Sequence, residues 1–254
     1  MRRGIAASAV ALAMLLTGTA QPARAADGLT DDLFNAAVIG TDIGRSGRVT
    51  PEQALQLIRI VGRILGVMES EVRTQADGLV AANILSRVVS VQDDWRNYEV
   101  IRQDELGAGL FAQRVNEILN DAVHYYPEVS TRAKDQLALS AQAVYSIVQA
   151  ARADAGYTEG AGAIEGRFRS LMLKVVDDLR PRCTPINANP EPVPGEISTI
   201  WECVAVDGRK ATAHERIVNG EYVEGPVDLH KVRMEAARAS SWAAAYRVWW
   251  PDQP

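Results

Sequence analysis

The feature that most constrains this chain is a long proline-free run between Pro51 and Pro127, much of it patterned at helical spacing. Thr50 stands where an N-cap belongs, Pro51 at the first helical position and Gln53 at the return position of a capping box. Behind them Ala54, Leu57, Ile58, Val61, Leu65, Met68, Val72 and Leu79 recur on one face, and Gln56, Arg59, Arg63, Ser70, Arg73 and Asp77 on the other. Burying each leucine or isoleucine of that stripe contributes about 1.5–3 kcal/mol, so the stretch from Thr50 to Val91 reads as the core element around which the rest is organised. Gly78 marks either a kink in one helix or a break into two.

The N-terminus has the pattern of an export signal. Arg2 and Arg3 precede a small, apolar run from Ile5 to Leu16, and Ala23-Arg24-Ala25 offers an A-x-A cleavage site before Ala26. The run is too short to span a bilayer, so no transmembrane segment is expected once residues 1–25 are removed. Removal takes three arginines from the 27 basic residues and leaves 24 against 32 acidic ones, a charge of −8. That balance argues against nucleic acid as a partner. A periplasmic or secreted chain folds under oxidising conditions, and Cys183 and Cys203, its two cysteines, read as a structural disulfide. Such a bond should stabilise the fold by roughly 3 kcal/mol on the chain-entropy account.

Further helices are expected on Phe111, Val115, Ile118, Ala122 and Tyr126, ended by Pro127, and on Ala133, Leu137, Ala141, Val144, Val148 and Ala151, ended at Gly156. Gln92 to Asp104 reads as a polar passage between helices. Another stripe comprises Ile164, Phe168, Leu171, Val175 and Leu179. Five of the eleven prolines then fall between Pro181 and Pro194, which implies an extended connector. Ile197 to Val206 is strand-like, Asp207-Gly208 marks a turn, and Asn219-Gly220 between apolar pairs signals a hairpin. From Val227 one helix is expected to run to an aromatic tail. The expected fold is mainly α: a multi-helix bundle over 26–180, a disulfide-stapled β-hairpin insert with its proline-rich connector over 181–226, and a C-terminal helix over 227–254.

Gly40 to Gly47 reads as a loop with three glycines, and the stretch from Asp42 to Gln53 resembles an EF-hand calcium loop. Asp42 stands at its first position, Ser46 at the fifth, Gly47 at the sharp turn, Arg48 where a backbone carbonyl ligates, and Thr50 at the ninth. Gly44 and Gln53 depart from the pattern, because neither supplies the carboxylate that a hard cation requires there. The resemblance implies weak calcium binding at most, and no other cofactor is indicated. Thr50-Pro51-Glu52-Gln53 also explains itself as a helix start.

Catalytic constellations are scarce. His124, His214 and His230 are the three histidines, and His214-Glu215 lacks the second histidine of a zinc-protease helix. Asp93-Asp94 and Asp177-Asp178 are adjacent carboxylates that point to different helix faces. Gly62-x-x-x-Gly66 permits a close helix contact. Trp242, Tyr246, Trp249 and Trp250 form either a core stripe or an exposed binding platform. The expectation is an exported, non-enzymatic binding or envelope-assembly protein acting on an unidentified protein or envelope component. A cation-responsive module and a hydrolase of convergent carboxylates are the alternatives.

Overall fold

The computed structural model describes residues 28–75, 78–157, 159–187 and 193–249. The expected signal sequence, Pro190, Pro192 and Trp250 lie outside the described residues, as do the side chains of Val72 and Trp249. Described in chain order are α1 (Leu29–Ser46), α2 (Pro51–Gln75), α3 (Leu79–Arg96), α4 (Tyr98–Ile101), α5 (Glu105–Tyr125), α6 (Thr131–Asp154) and α7 (Ala161–Asp178). Four strands follow, β1 (Arg182–Asn187), β2 (Glu196–Val204), β3 (Lys210–Val218) and β4 (Glu221–Glu224), then α8 (Leu229–Ala236) and α9 (Ser241–Trp249). The fold is a helical bundle with a small antiparallel sheet near its C-terminal end.

Local chemistry starts and stops several of these helices as expected. The Thr50 hydroxyl accepts from the Gln53 amide at 3.2 Å, while the Thr50 amide donates to the Gln53 side chain at 3.0 Å. Asp104 caps α5 by accepting from Leu106 and Gly107, and Ser130 caps α6 by accepting from Ala133. Beyond α6, Gly156 takes a left-handed φ of 72°, and Tyr157 donates back to the Arg152 carbonyl at 2.8 Å, closing a Schellman turn. Gly78, at φ 86°, breaks the long stretch into α2 and α3. Leu79, counted in the apolar stripe, sits at the first position of α3 and is 91% exposed. The polar passage is also corrected: α3 continues to Arg96, and Trp95 and Tyr98 are buried in a stack with Phe111.

The organising element is α6, not the Thr50–Val91 stretch. Every residue from Asp135 to Ala151 is buried, and α5, α1, α3, α7, α2 and α9 all pack on it. Five polar residues hid this from a one-sided reading: Gln136, Ser140, Gln142, Ser146 and Gln149. Several are satisfied internally. Ser140 donates to the Gln136 carbonyl at 2.8 Å, and Gln142 donates to the Ser241 carbonyl at 3.0 Å. Burial pushes the phenols of Tyr98, Tyr126 and Tyr145 above their ordinary range, and the Tyr98 hydroxyl donates to Asp154 at 2.7 Å.

Gly40 to Gly47 is the largest departure from expectation. Read as a glycine-rich loop, it is instead the last two turns of α1, which ends with Gly47 at φ 65°. A Cβ at Gly40 would lie 2.8 Å from the backbone of Ser146, and one at Gly44 would lie 2.9 Å from Gln149. The close α1–α6 crossing therefore uses this Gly-x-x-x-Gly. At Gly62 and Gly66 an added Cβ meets nothing within 4 Å.

The sheet is a meander in the order β1-β2-β3-β4, and Pro185 lies in β1, an edge strand. Cys183 and Cys203 are direct cross-strand partners joined by the expected disulfide. Asn219 and Gly220 supply the two positive φ angles of the β3–β4 turn. Cys203 and Ala205 on β2 and the turn after it, with Ala211 and Ala213 on β3, face the helical body and α8. On the other face Lys210, Thr212 and His214 of β3 are exposed, whereas Ser198 of β2 is 8% exposed. The expected single C-terminal helix divides between Ala237 and Ser240, because Asp135 captures the start of α9. We expect intact mass to rise by two hydrogens on reduction of the denatured protein. A protein carrying two free thiols as isolated would contradict the pairing.

Candidate functional site

The structure disperses most of the residues singled out in the sequence. An EF-hand loop leaves its first helix at the first ligand, whereas α1 runs on through Asp42 to Ser46. Ser46 donates to the carbonyls of Ile43 and Arg48, at 3.3 and 3.2 Å, and Thr50 is engaged in its capping box. Arg45, beside them, pairs with Glu165 at 3.0 Å. The Ser46, Arg48 and Thr50 oxygens thus serve a turn and a helix start, while Asp42 lies within the last turns of α1. Among the described residues no group of three His, Cys, Asp or Glu side chains converges as metal ligands. Trp242 is core, 1% exposed, with its indole N–H donating to the Val176 carbonyl at 3.0 Å. Tyr246 is half-buried, tilted against both Trp242 and His230.

Two other places bring unexpected groups together. The first is a cleft of about 270 Å³ between the N-terminal half of α5 and the C-terminal end of α6. Helical spacing puts Leu106, Leu110, Gln113 and Asn116 along its α5 wall. Leu106 and Leu110 are 70% and 61% exposed, although they belong to a helix whose opposite face is core. The α6 wall is Arg152, and the Schellman turn folds Tyr157 back over it. Gly109 lets the phenol in, since a Cβ there would stand 2.8 Å from the Tyr157 hydroxyl.

The polar groups of this cleft are under-used. Arg152 donates to the Glu159 carbonyl and stacks over Tyr157, but among the described residues it makes no ion pair and its buried Nε has no partner. The Asn116 Oδ1 is buried without a partner as well. Each such atom costs about 1–3 kcal/mol when left unmet. A wider groove of about 710 Å³ lies along α2, lined by Leu55, Gln56, Arg59 and Arg63. Its Arg63 is already held by both oxygens of Asp32, at 2.6 and 2.8 Å, which leaves less chemistry on offer.

The second place is the outward face of the sheet. Ser198 on β2 meets the His214 Nε2 on β3 at 2.7 Å, and the His214 Nδ1 contacts a carboxylate oxygen of Glu224 on β4. A carboxylate only accepts, so a neutral His214 carries its proton on Nδ1 and donates to Glu224. The bare Nε2 then accepts from the Ser198 hydroxyl. Arg216, directly opposite Ser198, is held by Glu196 through Nε at 2.9 Å and Nη2 at 3.3 Å.

Neither place was anticipated. Arg152 reads in sequence as an ordinary cation at a helix C-terminus. The exposed Leu106/Leu110 pair, off the Phe111 stripe, was the sole local signal for the cleft. On the sheet, a two-residue turn after Val218 implies that Arg216 opposes Val223. A bulge at Arg216/Ile217 makes it oppose Glu224 instead. That one-residue shift turns Glu224 onto the face of His214.

Compared with known protein families, curated proteins and solved structures, the chain matches none.

Proposed function

We propose that this chain is an exported binding protein whose α5–α6 cleft holds a small organic anion. The observation that carries the reading is the Arg152 guanidinium, which has no carboxylate partner among the described residues and whose Nε is buried and unsatisfied, in one cleft with the unsatisfied Asn116 oxygen, under an exposed apolar rim. A carboxylate would take the guanidinium in a charge-assisted pair, worth about 1.5–3 kcal/mol. A hydroxyl or amine next to it would donate to Asn116. An apolar substituent would cover Leu106 and Leu110. The volume is near the lower end for ligand sites, roughly 300–1,000 Å³, which keeps the ligand small. Export is supported by the disulfide and by the N-terminal pattern, and no described helix is long and apolar enough to cross a membrane. An intact mass starting at Ala26 would agree with export.

3-Phenyllactate, which has a carboxylate, a hydroxyl and an apolar ring, is a suitable probe. It should raise the melting temperature logarithmically with concentration above its Kd, the stabilisation reaching about 2.7 kcal/mol at one hundred times that Kd. Benzoate, lacking the donor for Asn116, should bind more weakly, and 2-phenylethanol not at all. Arg152→Gln should weaken binding about 10- to 100-fold. Equal binding of the alcohol and the acid, or unchanged binding by Arg152→Gln, would remove the reading.

A further inference from the structure

We propose that the outward face of the sheet is an acyl-transfer site in which Ser198 is the nucleophile, His214 its base and Glu224 the residue that positions the base. This inference is independent of the cleft. Three strands each supply one group, and the groups meet through the atoms that proton transfer requires: hydroxyl to Nε2, and Nδ1 to carboxylate. A polar ladder that served only the sheet would need neither that tautomer nor the bulge that delivers Glu224. Arg216 stands opposite Ser198, and with Nε and Nη2 engaged by Glu196 its Nη1 has no hydrogen bond among the described residues. That N–H is the donor for a developing oxyanion. Ile200 is the cross-strand partner of His214, and Ile186 is the partner of Ile200. With Ile186 45% exposed, the two make a narrow apolar shelf beside the serine. Ser198 itself is only 8% exposed, so the approach is narrow, and with so short a shelf it fits a short-chain carboxylic ester.

The reaction balances without a redox partner. The Ser198 oxygen bonds to the ester carbonyl carbon, its proton passes to the His214 Nε2, and the carbonyl pair moves onto oxygen near Arg216. As the pair returns, the bond to the alkoxy group breaks, and the alkoxide leaves as the alcohol with the Nε2 proton. Water then attacks the acyl-serine, giving its proton to Nε2. The acid departs and the proton returns to Ser198. The net change is ester plus water to acid plus alcohol.

The test treats the purified, disulfide-intact protein with an alkyl fluorophosphonate, which forms an Oγ–P bond as fluoride leaves with the serine proton. Peptide mass mapping should find one adduct per chain, at Ser198, and p-nitrophenyl acetate should be hydrolysed with a burst. S198A should abolish both, and H214Q should slow them by about 100-fold or more. E224Q should lower the maximal labelling rate while leaving its half-saturating concentration unchanged. It should also remove the downfield Nδ1 proton of His214 in the NMR spectrum, a resonance that S198A keeps. His214 is 41% exposed in its side chain, so its substitution leaves the core untouched, and circular dichroism verifies the fold. Absence of an adduct at Ser198 in the unmodified protein overturns the inference whatever the variants do. So does labelling of folded H214Q at an undiminished rate.

Discussion

Gly40→Val should lower stability by about 3 kcal/mol or more, whereas Gly62→Ala should raise it by about 0.5–1 kcal/mol. Both glycines lie in helix interiors, where exchanging glycine for a better helix former gains up to about 1 kcal/mol. The difference is tertiary. A Cβ at Gly40 meets the backbone Cα of Ser146 at 2.8 Å and the Ser146 Cβ at 3.1 Å, and α6 is packed on every side and cannot retreat. Overpacking of this kind costs about 1–3 kcal/mol or more, and valine adds two methyls to the clash. At Gly62 the space is open. Urea unfolding of the two variants against the parent decides it. A Gly40→Val protein as stable as the parent would mean that α1 and α6 do not cross there.

The second large effect concerns the C-terminal helix. Trp242→Ala should cost about 3–5 kcal/mol, the range for deleting a fully buried large aromatic. The ring is 1% exposed, tilts against Tyr246 at 5.2 Å and donates to the Val176 carbonyl. Its position is set by the residue before it. Asp135, buried in α6, accepts from both the amide and the hydroxyl of Ser241, at 2.8 and 2.6 Å, which caps α9 from another helix. Trp242→Phe keeps most of the apolar area but orphans the Val176 carbonyl, so a smaller loss, about 1–3 kcal/mol, is expected. Thermal and urea unfolding separate the two variants. Losses below about 0.5 kcal/mol for Trp242→Ala, the range of surface substitutions, would mean the tail is not core.

Much of the secondary structure follows from interactions a few residues long, and those were legible. Thr50 with Gln53, Asp104 before α5, Gly156 after α6 and Asn219-Gly220 between β3 and β4 each act within one turn of chain. The stripes of α5 and α7 were legible for the same reason, since period alone names the buried face. The cross-strand cysteine pair needed only the count of two and the expectation of an oxidising compartment.

Other features depend on what a residue meets from elsewhere, and no local pattern encodes that. Period reports that a face is buried but not that the opposite face is buried too, so Gln142 disguised the central helix until Ser241 came to meet it. Gly40 and Gly44 look the same in a loop and at a helix crossing, and only the approach of Ser146 and Gln149 tells the two apart. Arg152 gains its meaning from Asn116 on a neighbouring helix. His214 gains its own from Ser198 and from a bulge that moves Glu224 by one residue. Short-range hydrogen bonds and side-chain period specify elements. Which elements touch, and which polar atoms are left unmet when they do, is set by packing across the whole chain.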